Sequence, residues 1–218
     1  MNTFTKEQLQ NLIKDARKIA IVPSKIAGTD AFTAGVALYY MIKQLEKDVS
    51  IVYSGRFPEG TEELISKDDV FSNLSHRELI IEVDYSGTNA DKVHYKTDNS
   101  VLQFRLGPVP KDFDRTKIIA SIKSFDFDLI FVLGVQHLRD LGGIYEHMRE
   151  EFDAAKIVNI DNTKRNTRFG IINVIETEID TLSLLVFTKA TEWGLTPNPK
   201  AAKSMLTGMA QSVEKLSG

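Results

Sequence analysis

The chain has 218 residues, 42% hydrophobic and 26% charged, which is enough for one large globular domain or two small ones. Its net charge of −3 argues against binding nucleic acid strongly through bulk positive charge. The absence of cysteine excludes disulfides, thiolate zinc sites and cysteine nucleophiles, and only four histidines remain for histidine-dependent chemistry.

The sequence carries no pattern typical of export or membrane insertion. Its N-terminus is polar and charged, without the apolar run of a secretory signal. The longest apolar stretch, 31–42, is shorter than the ~20 residues that a membrane span requires. We therefore expect a cytoplasmic protein that does not interact with membranes.

The first quarter of the chain predicts a helix followed by a parallel pair of strands. Thr5 begins a capping-box spacing that opens an amphipathic helix. The apolar run Ile19–Pro23 predicts a strand that ends in the loop Ser24–Asp30. Ala31–Lys47 is apolar nearly all round and predicts a buried helix, and Ser50–Tyr53 predicts the next strand. This order is typical of a βαβ unit.

The middle of the chain has a different pattern. Apolar residues alternate with polar ones over Leu79–Tyr85, Val93–Thr97 and Leu102–Leu106, and Asp98 precedes an expected turn. We expect a small antiparallel β-meander over residues 79–106, either an insertion or an edge of the main sheet.

The second half returns to alternating strands and helices. Continuous apolar runs predict buried parallel strands at Asp128–Leu133, Lys156–Ile160 and Ile171–Ile175. Helical patterns cover Leu138–Phe152, Asp180–Trp193 and the segment from Pro199 onward. The predicted fold is α/β, with a mainly parallel sheet, helices on both faces and a small antiparallel β insertion.

Ligands of open parallel sheets bind beyond the carboxyl ends of the strands, so the chemistry is expected there. Three such strand ends are Ser24–Asp30, Gly134–Leu138 and Asp161–Asn166. The third is the most informative, because it places a carboxylate and several amides directly after a buried strand.

The segment Ile157–Gly170, IVNIDNTKRNTRFG, resembles the signature of the DHH phosphoesterase superfamily. In that signature an apolar strand runs into Asp-His-His and is followed by Asn and often Phe-Gly. Asp161, Asn166 and Phe169–Gly170 match the signature, whereas Asn162–Thr163 stand in place of the two histidines.

The other motifs of the superfamily are similar to segments of this chain in the same order. The first motif has a His and two Asp ahead of a helix of small residues. Its His falls on Ser24, its first Asp on Gly28 and its second Asp on Asp30. The metal-binding Asp of the second motif falls on Gly134, and that of the fourth on Ser212.

The resemblance implies a two-metal phosphodiester hydrolase that acts on oligonucleotides, cyclic dinucleotides or related phosphates. Many members also carry a second, glycine-rich substrate domain, and no such segment is found here. We therefore expect one DHH-like domain over residues 1–218.

The substituted positions decide what chemistry to expect. Two-metal hydrolysis requires ions about 3.5–4 Å apart that carboxylates and imidazoles clamp. Of the implied ligands only Asp30 and Asp161 remain, and with Asn162 and Thr163 they suffice for one hydrated Mg²⁺ or Mn²⁺ at most. Of the histidines, only His137 lies near a strand end. We expect no metal pair and no required cofactor, and we assign no catalytic residue.

The remaining site residues have two interpretations each. Asp30 is either a remnant ligand or a cap of the helix that follows it, and Asp161 either a ligand or a turn cap. The cations Lys164, Arg165 and Arg168 either bind phosphate or are solvated surface residues. Lys25 belongs with them, and Asn166 either binds ligand or holds its loop. The amides of Gly28 and Thr29, which open a helix, would attract an anion without a metal.

Three functions remain open. The first is a non-catalytic DHH-like domain that binds a nucleotide or phosphate, or acts as a protein-interaction scaffold, and self-associates as a homodimer. The second is a weak divalent-metal-dependent phosphoesterase on oligonucleotides or cyclic dinucleotides that uses Asp30 and Asp161. The third is an interaction protein whose meander, 79–106, offers an edge to a partner strand.

Overall fold

The structure is a computed structural model and describes residues 5–71, 78–88, 90–112, 114–123 and 127–217. The helices are α1 Lys6–Asp15, α2 Gly28–Lys43, α3 Gly143–His147, α4 Arg149–Ala154, α5 Leu182–Ala190 and α6 Pro199–Ser217. The strands are β1 Lys18–Pro23, β2 Asp48–Val52, β3 Val70–Phe71, β4 Glu78–Val83, β5 Lys92–Asp98, β6 Val101–Gly107, β7 Ile118–Lys123, β8 Leu129–Leu133, β9 Lys156–Asp161 and β10 Ile172–Ile175.

The chain divides into two compact units, residues 1–75 with 125–218 and residues 76–124. The first unit contains a six-stranded sheet in the order β10-β9-β8-β1-β2-β3. All its pairings are parallel. This confirms the predicted α/β fold with a mainly parallel sheet.

Helices cover both faces of this sheet because its central strands are apolar on both sides. Ile19 and Ile21 belong to a large core with residues of α1, α2, α5 and α6. Ala20 and Val22, which alternate with them along β1, belong to a smaller core with residues of α3 and α4. No described helix is both long and apolar enough to cross a membrane.

The capping box predicted at the start of α1 is present. The Thr5 hydroxyl accepts from the Gln8 amide, and the Gln8 side chain accepts from the Thr5 amide. The helix predicted over Leu138–Phe152 is instead a 3₁₀ turn, Leu138–Leu141, followed by α3 and α4. Gly142, with φ of +57°, separates the turn from α3, a break that apolar periodicity alone does not reveal.

The second unit consists of two antiparallel ladders. β5 pairs with β6 through a two-residue turn at Asn99 and Ser100, both with positive φ as a type I′ turn requires. β4 pairs with β7 rather than with β5, so the strands do not form a consecutive meander over 79–106. β7, the partner of β4, lies beyond the predicted meander. Its residues Ile118, Ala120 and Ile122 occupy every second position, which is the same period of two. The predicted antiparallel β insertion is confirmed.

Candidate functional site

The structure brings the three predicted strand ends together at one edge of the parallel sheet. β1, β8 and β9 are neighbours, and backbone bonds continue across their ends. The Ser24 amide donates to the Leu133 carbonyl at 2.8 Å, and the Gly134 amide donates to the Ile160 carbonyl at 2.9 Å. The residues that follow these strands therefore share one surface.

Ser24 organises the start of α2. It is 2% exposed, and its hydroxyl accepts from the amides of Ile26 and Ala27 at 3.2 Å. The helix then begins at Gly28. The predicted role of Asp30 as a cap of its own helix is wrong, because Asp30 lies inside the first turn of α2.

Asp30 instead caps α5, about 150 residues further along the chain. One carboxylate oxygen accepts from the Leu182 amide at 2.6 Å, and the other accepts from the Ser183 amide at 2.9 Å. Thr181 accepts from the next amide, that of Leu184, at 3.1 Å. Since the first amides of a helix have no partner within it, Asp30 and Thr181 together satisfy this terminus.

Apolar side chains fill the space beside Gly134, where the resemblance places a metal-binding aspartate. Gly134 has φ of +67°, and a Cβ there would lie 2.7 Å from Leu182 Cδ1 and 2.9 Å from Ala27 Cβ. Leu182 is 2% exposed and belongs to the large core. Any side chain at this position therefore requires Leu182 to move.

The carboxylate of Asp161 is 1% exposed and bonded to three neutral donors. Oδ1 accepts from the Asn162 amide at 2.8 Å, and Oδ2 accepts from the Thr163 hydroxyl and the Asn166 side chain at 2.7 and 2.8 Å. Asn162 and Thr163, which stand where the resemblance places two histidines, thus hold Asp161 in place. The turn-cap interpretation of Asp161 describes this geometry.

Three asparagines, Asn159, Asn166 and Asn173, form a hydrogen-bonded network. The side-chain NH₂ of Asn166 donates to the Val135 carbonyl at 2.8 Å, which ties its loop to the segment after β8. Asn159, which is fully buried, donates to the side-chain oxygens of Asn166 and Asn173 at 2.7 and 3.0 Å. The signal for Asn159 and Asn173 was present, since each is a polar residue inside an apolar strand pattern.

Asn162 links the same loop to the segment before α5. Its side-chain amide donates to the carbonyls of Ile179 and Asp180 at 3.0 and 2.9 Å. The loop that follows β9 is therefore held on both sides, by the segment after β8 and by the segment before α5.

The predicted cations lie on the outside of this edge. Lys25, Lys164 and Arg165 are exposed, as is Arg168, and none forms an ion pair within the described ranges. His137 is exposed as well, and its backbone amide donates to the Asp140 carboxylate. These side chains are available to a ligand in solution.

The start of α2 is open. Gly28 has φ of +67°, and a Cβ added there would meet no atom within 4 Å. Within the described part of the chain, the amides of Gly28 and Thr29 donate to no backbone carbonyl. The N-terminus of this 16-residue helix therefore keeps two donors free for an anion.

The residues present do not fit the two-metal centre that the resemblance implies. Asp30 and Asp161 already bond to protein donors, and the Gly134 position is packed. Ser212 donates to the Gly208 carbonyl of its own helix at 2.9 Å. No group of three or more His, Asp or Glu side chains in the described part of the chain is placed to hold a metal ion. His76, one of the four histidines, lies outside the described residues.

Comparison with known proteins gives a fold but no family. No protein-family profile and no curated protein matches the sequence. A crystal structure of an exopolyphosphatase-related protein from Bacteroides fragilis is similar, with a TM-score of 0.64 at 16% sequence identity. The match covers 96% of this chain and 50% of that one, so the chain spans about half the length of that protein. The chain shares the fold of the matched part of that exopolyphosphatase-related protein.

Proposed function

We propose that this chain is a degenerate member of the DHH phosphoesterase superfamily that binds a nucleotide or another phosphate-bearing ligand without hydrolysing it. The observation that carries the proposal is the use of Asp30, whose two carboxylate oxygens cap α5. A divalent ion at Asp30 would share oxygens that each already accept a hydrogen bond from α5. The cap therefore gives Asp30 a structural role that needs no metal ion.

The packing at Gly134 supports the loss of hydrolysis independently. A two-metal mechanism needs enough anionic ligands to hold two ions and to generate hydroxide at neutral pH. Leu182 and Ala27 lie where an aspartate side chain would start from Gly134. An apolar contact at this point favours a site without metal ions.

The surface that remains suits a phosphate. Helix N-termini bind anions through unpaired amides and the helix dipole, and Gly28 and Thr29 provide such amides. Ala27 lies next to Gly134, and the loop carrying Lys164 and Arg165 is tied to Val135 through Asn166. Charge-assisted hydrogen bonds from these cations would add to the binding of a phosphate group. The proposal needs no metal ion or other cofactor.

Calorimetric titration with mono-, di- and cyclic nucleotides, with inorganic phosphate alongside, tests binding. We expect heat from at least one of these ligands without added metal and a large loss of affinity in the Lys164→Ala/Arg165→Ala double variant. Lys156→Ala is the matched control, since Lys156 is exposed and begins β9 at the opposite edge of the sheet. No heat at millimolar ligand contradicts the proposal, as does equal weakening by both variants.

An assay with Mn²⁺ or Mg²⁺ and short oligonucleotides or cyclic dinucleotides tests the loss of hydrolysis. We expect no turnover above the metal-only background. Turnover that Asp161→Ala abolishes would overturn the proposal in favour of the weak phosphoesterase. We also propose that the chain self-associates as a homodimer.

A further inference from the structure

The β5–β6 hairpin has one apolar and one polar face. In an antiparallel ladder, directly paired residues point to the same side of the sheet. Val93 pairs with Leu106, Tyr95 with Phe104 and Thr97 with Leu102, so these six side chains share a face.

The apolar face of the hairpin is exposed. Tyr95 is 75% exposed, Val93 66%, Leu102 51% and Phe104 48%. At ~150–250 Å² for a large side chain, these fractions leave on the order of 500 Å² of contiguous apolar surface. A patch of this size is at the upper end of what monomeric proteins expose, and such patches are often binding surfaces.

We propose that this face is a dimer interface and that its occupant is a second copy of this chain. The available area supports that occupant, since two such faces bury about 1,000 Å², the lower limit for a specific interface. A two-stranded ladder is also only marginally stable alone, whereas two ladders stacked face to face form a four-stranded sandwich.

The arrangement of side chains on the face suits two-fold symmetry. The two-fold axis lies midway between the two copies. It runs parallel to the strands and passes over the gap between β5 and β6. Such an axis places Tyr95 of each copy against Phe104 of the other. The same axis sets Val93 against Leu106 of the second copy. The interface is then self-complementary, as a two-fold contact must be, and two aromatic pairs lie at its centre.

The opposite face of the hairpin is unsuited to self-association. It carries three exposed cations, Lys92, Lys96 and Arg105, and one carboxylate, that of Asp98. A second copy placed on this face would bring like charges together. The charge pattern therefore selects the Tyr95 face, and this inference does not depend on phosphate binding at the strand ends.

Sedimentation equilibrium of the full chain over a micromolar concentration series tests the inference. We expect the unaltered protein to dimerise and Tyr95→Lys to raise the dimer dissociation constant about tenfold or more. Gln103→Lys is the matched control, because it adds the same charge to the same hairpin on the polar face, opposite Lys96. It is expected to leave the dimer intact.

Two further variants distinguish loss of the dimer interface from misfolding. Leu102→Lys places the charge elsewhere on the apolar face and is expected to dissociate the dimer as well, and Tyr95→Phe is expected to retain it. Far-UV circular dichroism checks that each variant is folded. A monomeric unaltered protein overturns the inference, as does a dimer that Tyr95→Lys and Leu102→Lys leave intact, or one that Gln103→Lys dissociates equally. The calorimetric titration reads out ligand binding separately.

Discussion

The strand-end surface of the parallel sheet and the apolar face of the β5–β6 hairpin differ in whether their side chains have partners within the fold. At the strand ends, Asp161 is 1% exposed and bonded to three donors within its own loop. On the hairpin, Tyr95 is 75% exposed. Polar groups typical of catalysis are thus engaged by the fold, whereas apolar groups typical of a core remain on a surface. This difference underlies the two proposals, a strand-end site that binds without hydrolysis and a hairpin face that binds a second copy.

The largest expected effect tests how tightly the strand-end site is packed. Gly134 and Gly28 both have φ of +67°, but only at Gly134 would a Cβ collide with other atoms. We expect Gly134→Ala to lower the free energy of unfolding by about 3 kcal/mol or more, from backbone strain together with overpacking. Gly28→Ala carries the strain alone and should cost about 1 kcal/mol. Urea unfolding measures both, and equal losses would show that Leu182 does not fill the site.

An intermediate effect tests whether Asp30 serves the fold or a metal. Asp30→Ala removes the acceptor of two helix amides, so we expect a loss of about 2 kcal/mol in the free energy of unfolding. Asp30→Asn keeps one oxygen and should cost less. The measurement is made in EDTA. Unchanged stability in EDTA, with a loss only when Mn²⁺ is present, would identify Asp30 as a metal ligand instead.

The smallest effect concerns how the second unit is held together. Hydrogen bonds from Ser86, and then the nearby Lys117 ammonium at 3.2 Å, lower the pKa of Asp84 from 3.8 to about 2. A carboxyl whose pKa is lowered by folding stabilises the folded state above its unfolded pKa, and this contribution is lost as the pH falls from about 4 towards 2. NMR titration of Asp84 measures the pKa. A value near 3.8 would show that these exposed contacts are not formed in solution.

The sequence predicted those parts of the fold that depend on neighbouring residues. Continuous apolar runs identified β1, β8 and β9, and the spacing of Thr5 and Gln8 identified the capping box of α1. Alternation identified β5 and β6, because a side-chain period of two follows from strand geometry itself. The sequence also indicated which strand ends meet, since the carboxyl ends of parallel strands share an edge.

The roles of the site residues depended on contacts that no local pattern contains. The residue that Asp30 caps lies 152 positions away, and the side chain that fills the space beside Gly134 belongs to α5. The local pattern marks Asn159 as a polar residue in an apolar strand, but it does not indicate its partner, Asn173, which lies on a neighbouring strand.

The sequence by itself determined the α/β class and the strand ends that meet at one edge of the parallel sheet. Only the tertiary structure decided that Asp30 caps α5, that Leu182 occupies the space beside Gly134 and that Tyr95 and Phe104 share an uncovered face. The physical reason is that secondary structure follows from the periodicity of a short segment. Hydrogen-bond satisfaction and burial, in contrast, depend on which distant segments the fold brings into contact.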